Sequence, residues 1–357
     1  MINRPPYMCA RLLFLIGVLV LLNSGAGVAG GPSQIAKGSA VLWDNSHVIS
    51  YRRDRGNLGP IPEPEVQGYI DQAFATWSQV DTADLHFTAT SLGEDVTTSV
   101  RFLALQRDPN AGNVVVLDNV GGIVENLFGK ENRDKILGFA SPQLQGPHIG
   151  RFVALMNGAL ATNRDTVKST LVHEFGHAIG LDHSQINATL ALDGDAANDQ
   201  FIPTMFPTAS DDDSAFVSLN PDDKAWVSRL YPSSSFKTKF GSISGRLIRA
   251  GHGPILGANI IAIAVINGAD DLMERYSCVS DFLKTNDGSF ELFLPPGQYK
   301  LRIEPIRIDF VNGSSVGPYS DSVSGQSFKT RVRPQTLAAL HPVTAGAQTS
   351  IGEITIP

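Results

Sequence analysis

One stretch near the middle of the chain, His173-Glu174-Phe175-Gly176-His177-Ala178-Ile179-Gly180-Leu181-Asp182-His183, restricts the fold more than any other. Histidines four apart on a helix differ by about 40° around its axis, so His173 and His177 project from one face. Two neutral imidazoles so placed can reach a single Zn²⁺ at about 2.0–2.1 Å. Glu174 follows the first histidine and can lean over the metal without binding it, which is where a general base belongs. Gly180 admits positive φ, so the chain can leave the helix sharply and return His183 as a third ligand. Three protein ligands leave a fourth position for water, the mark of a catalytic rather than a structural zinc site.

The bare His-Glu-x-x-His pattern also arises on ordinary solvated helices. The glycine and the third histidine at fixed offsets are what set this stretch apart. Downstream, Pro203-Thr204-Met205-Phe206-Pro207 reads as a proline-bracketed tight turn. That turn resembles the methionine turn under the zinc of metzincin peptidases, a resemblance that implies Met205 is a soft, polarizable floor to the metal site and not a ligand.

The chain has 357 residues, enough for two domains with separate cores. With 42% hydrophobic and 18% charged residues it has the composition of an ordinary folded protein. The formal net charge is −7, and no basic run interleaves with aromatics, which argues against a nucleic-acid partner. Arg4 and Arg11 flank the start of an apolar run, Leu12 to Leu22, followed by small residues ending Gly27-Val28-Ala29. That run is shorter than the roughly 20 residues a spanning helix needs and suits an export signal cleaved after Ala29. An uncleaved anchor is the alternative. Removing the segment takes Cys9 with it and leaves Cys278, expected to be a half-buried, unreactive thiol, so the mature chain would lack an internal disulfide. Such cysteine usage fits a bacterial secreted enzyme better than a eukaryotic one.

Taken in order, Val41 to Tyr51 reads as a first strand with Val48, Ile49 and Tyr51 inward. Val66, Ile70, Ala73, Phe74 and Trp77 form one stripe on a 3.6 period and define an amphipathic helix after a proline-rich loop. Leu85 to Ala89, Ser99 to Leu105 and Asn113 to Leu117 read as short strands. Gly121 to Lys135 reads as an exposed loop with a helical turn. Lys135 to Ala140 and Phe152 to Met156 bracket a further loop. Asp165 is the expected N-cap of the histidine-bearing helix, whose Val167, Leu171 and Ala178 lie away from the ligand pair. Asp193-Gly194-Asp195 with Asn198-Asp199, and Asp211-Asp212-Asp213, could hold Ca²⁺, although a solvated acidic loop explains them as well. A last helix starts after Asn220 with Pro221-Asp222-Asp223.

From Val41 to Tyr231 the chain resembles a matrixin, the matrix-metalloproteinase-like branch of the metzincin zinc peptidases. The resemblance rests on residues 173–184, His-Glu-Phe-Gly-His-Ala-Ile-Gly-Leu-Asp-His-Ser, through the serine after the third histidine. Thr76-Trp77-Ser78, Leu85-His86-Phe87-Thr88, Ile136-Leu137-Gly138-Phe139-Ala140 and the turn at Met205 add weaker matches. Asp222-Asp223 matches the paired acids by which the family supports its methionine turn. The resemblance implies an α+β catalytic domain with a twisted mixed sheet, zinc on His173, His177 and His183, Glu174 as catalytic base, and a protein or peptide substrate. It also implies that a strand just before the zinc helix forms a free sheet edge able to take a peptide as an extra strand. The chain departs from the family in lacking room or a cysteine for an inhibitory pro-segment ahead of the catalytic domain. It also lacks a second histidine cluster, since His86 and His148 stand apart, and the stretch from His183 to Met205 is long.

Past Pro232 the pattern changes to strands and Gly/Pro turns. Ile243 to Ile248, Ala258 to Val265, Ser289 to Leu294 and Tyr299 to Ile303 are the expected strands. Gly241-Ser-Ile-Ser-Gly-Arg246, Gly257-Ala-Asn-Ile260 and the run from Gly288 to Leu301 resemble carboxypeptidase-regulatory-like β-sandwiches. The expected layout is a signal peptide at 1–29, a metzincin domain at 30–231, a linker at 232–240 and a β-sandwich at 241–357. These features imply a secreted, monomeric zinc endopeptidase whose C-terminal domain can contact a cell surface or matrix. The competing reading is a surface-binding protein that uses the metzincin fold as a scaffold, and a third is a hydrolase of non-peptide amides.

Overall fold

The computed structural model describes residues 31–208, 213–306 and 332–357. The expected export segment and the acids Asp211 and Asp212 lie outside the described residues.

A two-stranded turn, β1 (Ile35–Ala36) and β2 (Ser39–Ala40), precedes the first long strand, β3 (Ile49–Arg53). That strand is shorter than expected. Ile49 and Tyr51 point inward, but Val48 is 56% exposed, because the ladder begins only where Ile49 pairs with Phe87. Helix α1 (Glu63–Ser78) buries all five predicted stripe residues. β4 (Phe87–Ser91) follows, and then α2 (Ser99–Arg107) stands where a strand was expected. Thr98 caps α2 by accepting the Arg101 N–H, and Phe102 and Leu105, one turn apart, are its buried residues. β5 (Asn113–Asp118) is buried throughout. The expected loop at 121–135 is instead two short helices, α3 (Gly122–Phe128) and α4 (Lys130–Arg133), with Ile123 and Val124 sunk into a core shared with Phe102 and Phe139.

β6 (Gly138–Gln145) and β7 (His148–Asn157) form an antiparallel hairpin. The sheet order is β4-β3-β5-β7-β6, parallel except for β6. Its edges are therefore β4 and β6; β7, the strand nearest the zinc motif in sequence, lies inside the sheet. Pro142 sits in β6, as a proline must where one side of the strand has no partner.

α5 (Arg164–Ala178) carries the motif, and its N-cap is Asn163, whose side chain accepts the Asp165 N–H; Asp165 is thus a first-turn acid, not the cap. α1 and α5 are locked together by stacked Phe74 and Phe175 rings, 3.7 Å between centroids, and by Trp77 Nε1–H donating to the Val172 carbonyl at 2.9 Å. α6 (Pro221–Leu230) starts on a capping box between Asn220 and Asp223. The expected linker includes a helical turn, α7 (Phe236–Lys239), and is pinned to the catalytic part: Ser233 and Ser235 hydroxyls donate to the Asp81 carbonyl, and Lys239 pairs with the Asp81 carboxylate.

The C-terminal strands are β8 (Gly241–Arg249), β9 (Gly253–Pro254), β10 (Ala258–Ile266), β11 (Ala269–Val279), β12 (Ser289–Leu294), β13 (Gly297–Pro305), β14 (Gln335–Thr336), β15 (His341–Val343) and β16 (Gln348–Ile356). They form two sheets, β11-β10-β13-β14 with β15 on β13, and β12-β8-β16 with β9 on β8. Ile243, Leu247, Ile260, Leu292 and Leu301 from the two sheets lie in one buried cluster with α1, α5 and α6. Cys278 is fully buried rather than half-buried, and burial pushes its thiol well above the usual range, which leaves it unreactive.

Candidate metal centre

The motif helix ends where its sequence says it must. Gly180 takes φ +90°, and the Gly180 and Leu181 N–H groups bond back to His177 and Gly176 carbonyls at 2.9 Å each. The two carbonyls left open at the helix end receive side chains: Trp43 Nε1–H donates to Ala178 at 2.9 Å, and the Tyr231 hydroxyl donates to Ile179 at 2.6 Å. The turn that follows is strapped by the chain's early residues, with Ser33 N–H on the Gly180 carbonyl at 2.6 Å and Asp182 N–H on the Gly31 carbonyl at 3.0 Å. The chain's exit from α5 is thereby rigid, and it delivers His183.

His173, His177 and His183 come together, all buried. The Nε2 atoms of His173 and His183 each lie 3.1 Å from Nε2 of His177. Among the described residues this is the one group of three or more potential ligand side chains close enough to share an ion. The imidazole orientations are set from behind. His173 Nδ1–H donates to the Thr204 carbonyl and His177 Nδ1–H to the Leu181 carbonyl, each at 2.8 Å. A carbonyl only accepts, so these bonds fix the Nδ1–H tautomer and turn the Nε2 lone pairs toward one point. Lone pairs converging at 3.1 Å repel one another unless a cation or proton lies between them. Tetrahedral ligands on zinc would be separated by about 3.3 Å at ordinary Zn–N lengths. The residues present fit the ion. Burial also depresses both titrations, His177 to about 4, so these rings stay neutral and able to ligate well below neutral pH.

Glu174 lies beside the trio, and its two carboxylate oxygens are buried without a well-formed hydrogen bond. Desolvation pushes its carboxyl well above the usual range, tempered by the Ala140 N–H of edge strand β6.

Below the trio, Met205 is buried and its Sδ fills the space against Gly176; a Cβ there would also stand 2.8 Å from Trp77 Cζ2. The turn holding Met205 hangs on Asp223, whose carboxylate accepts the N–H groups of Thr204, Met205 and Asn220 at 2.9, 3.1 and 2.9 Å. The neighbouring Asp222 accepts the Ser184 hydroxyl at 2.6 Å. Both acids are raised by burial, and for Asp222 the nearby Asp223 charge adds to the effect. The sequence did not single out Gly176, Thr204 and Leu181 as supports. Gly176 lies inside the motif, whereas the other two act through backbone carbonyls that no side-chain pattern announces. His86 and His148 are exposed and far from forming a second cluster.

Three buried imidazoles converging from a helix and its exit turn define a site of the zinc-peptidase class. The matrixin family model matches residues 42–232, and the chain belongs to the matrixin family. No curated protein is similar to it in sequence. Among solved structures, a 9R-lipoxygenase from Cyanothece PCC8801 aligns at 16% identity and a TM-score of 0.21, over 34% of this chain. The chain covers 17% of that protein's length, an overlap too slight to bear on fold or function.

Proposed function

We propose that the protein is a secreted zinc endopeptidase that hydrolyses peptide bonds, with His173, His177 and His183 as ligands and Glu174 as general base. The observation that carries this reading is the convergence of three buried imidazole Nε2 atoms, two of them on rings held by Nδ1–H bonds to backbone carbonyls, with the buried carboxylate of Glu174 next in sequence. When bound, zinc lowers the pKa of a water and polarises the scissile carbonyl. Glu174 accepts a proton from the attacking water as the C–O bond forms. It then passes that proton to the departing amine nitrogen as the C–N bond breaks. The free edge of β6 lies on the Glu174 side of the sheet, since Ala140 belongs to it. An extended peptide can pair with that edge antiparallel, through main-chain bonds that tolerate many sequences.

The expected export segment supports the secreted part of this reading, and the two C-terminal sheets support the reading of residues 241–357 as a carboxypeptidase-regulatory-like sandwich. Incubating the mature protein with a mixed peptide library, with and without a chelator, tests the function. Chelator-sensitive cuts are expected. A zinc-loaded protein that leaves peptides whole but hydrolyses non-peptide amides would overturn it.

A further inference from the structure

The C-terminal sheets meet the metal site's supports directly. Ser277 of β11 donates twice to Asp222, with its backbone N–H to Oδ1 at 2.7 Å and its hydroxyl to Oδ2 at 3.1 Å. The same Oδ2 accepts the hydroxyl of Ser184, the residue after His183, at 2.6 Å. The two hydroxyl oxygens stand 3.5 Å apart, and all three residues are buried. Trp226 of α6 grips Ser277 from the other side, Nε1–H donating to its carbonyl at 2.7 Å. Ser184 is also tied to the methionine turn through its N–H on the Met205 carbonyl at 2.8 Å.

The next residues of the exit chain are held by the same sheet. Ile186 packs with Ile261 and Ile263 of β10 in one buried cluster. Asn187 receives Arg275 Nη1–H on Oδ1 at 2.6 Å and donates Nδ2–H to the Leu272 carbonyl at 3.0 Å. Asn187 stands at φ 57°, in the left-handed region that asparagine enters more readily than most non-glycine residues. Ser184, Ile186 and Asn187 thus each find an anchor in β10 or β11.

We propose that Ser277 is a positioning residue for the metal site: it completes the hydrogen bonding of Asp222, which holds Ser184 and so fixes the third ligand, His183. Ser277 holds both oxygens of Asp222, so its loss leaves the carboxylate that accepts the Ser184 hydroxyl less firmly placed. The C-terminal sheets are on this account part of the machinery rather than an appendage. The inference rests on the zinc-site reading for its metal-binding arm only.

The test compares Ser277→Ala, Ser184→Ala and the double variant, reading zinc affinity by chelator competition and amide exchange of residues 183–188 in zinc-free protein. Ser277→Ala is expected to weaken zinc about tenfold and to speed exchange at 184–187 while leaving 164–172 unchanged. In zinc affinity the double variant should match Ser184→Ala, because that change already cuts the path from Ser277 through Asp222 to His183. Leu292→Ala, which opens the core of β12, should lower Tm and leave both readouts alone. Arg275→Met gives an independent line, with faster exchange at 185–187 expected. Wild-type affinity and exchange in Ser277→Ala, or equal losses in Leu292→Ala, would overturn the proposal. If wild type holds zinc yet cuts no peptide, the peptidase reading fails while affinity and exchange still decide this one. If wild type holds no zinc, exchange alone decides it.

Discussion

Met205 Sδ occupies the space that a Cβ at Gly176 would need, so the glycine inside the histidine motif and the methionine of the later turn are two halves of one contact. Gly176→Ala should destabilise the protein by about 1–3 kcal/mol through overpacking against Met205 and Trp77. Adding Met205→Ala, itself costly through the cavity it opens, should give a double variant less destabilised than the sum of the singles. Urea unfolding of the four proteins reads this cycle, and strict additivity would contradict the contact.

Asp223 gathers three backbone N–H groups from both ends of the segment that carries Met205. Asp223→Ala strands all three in a buried place, at about 1–3 kcal/mol for each unsatisfied donor before relaxation. Because the Thr204 carbonyl orients His173, zinc affinity should fall together with stability. Chemical denaturation and chelator competition on the same variant check the pairing of these losses.

Helices α1 and α5 are also joined at the surface by Glu65 and Arg164, with Oε1 of Glu65 2.6 Å from Nε of Arg164. The Arg164 side chain, then the Tyr69 hydroxyl, draws the Glu65 carboxyl down to about 2 from its ordinary 4.5. A carboxyl lowered on folding contributes stability above its unfolded value; that contribution fades as pH falls from 4.5 through about 2. Arg164→Gln should return Glu65 toward the ordinary range in an NMR titration. An unchanged titration would show that the pair does not form in solution.

Removing the metal should leave three neutral imidazoles converging without a cation. The zinc-free protein is expected to melt several degrees lower, since a ligand bound only by the folded state adds stability by mass action. Readdition of zinc should restore the melt with a midpoint that depends on metal concentration. A chelator-insensitive melt would argue against a metal on His173, His177 and His183.

Much of this architecture is legible in the sequence where periodicity or fixed spacing speaks. The stripe from Val66 to Trp77 appears as α1, and the paired acids at 222–223 open α6. The segment at 99–107 misleads because its β-branched and aromatic residues fit a short strand; the Thr98 cap and the burial of Phe102 with Leu105 decide for helix. Ile123 and Val124 hide in a polar, glycine-containing stretch, and their burial comes from a core they share with Phe102, Leu105 and Phe139, which no local pattern announces. The three histidines could be placed together from spacing alone. Their supports could not, because Thr204 and Leu181 act through carbonyls and Ser277 comes from 93 residues beyond Ser184.

The most direct test of the central claim is peptide turnover by Glu174→Ala measured beside its zinc content. The account predicts one zinc per chain as in wild type, an unaltered fold, and turnover lowered by at least about 10²–10⁴-fold, the range that positioned acid–base catalysis supplies. A folded, zinc-loaded variant that still turns over at the wild-type rate would contradict it.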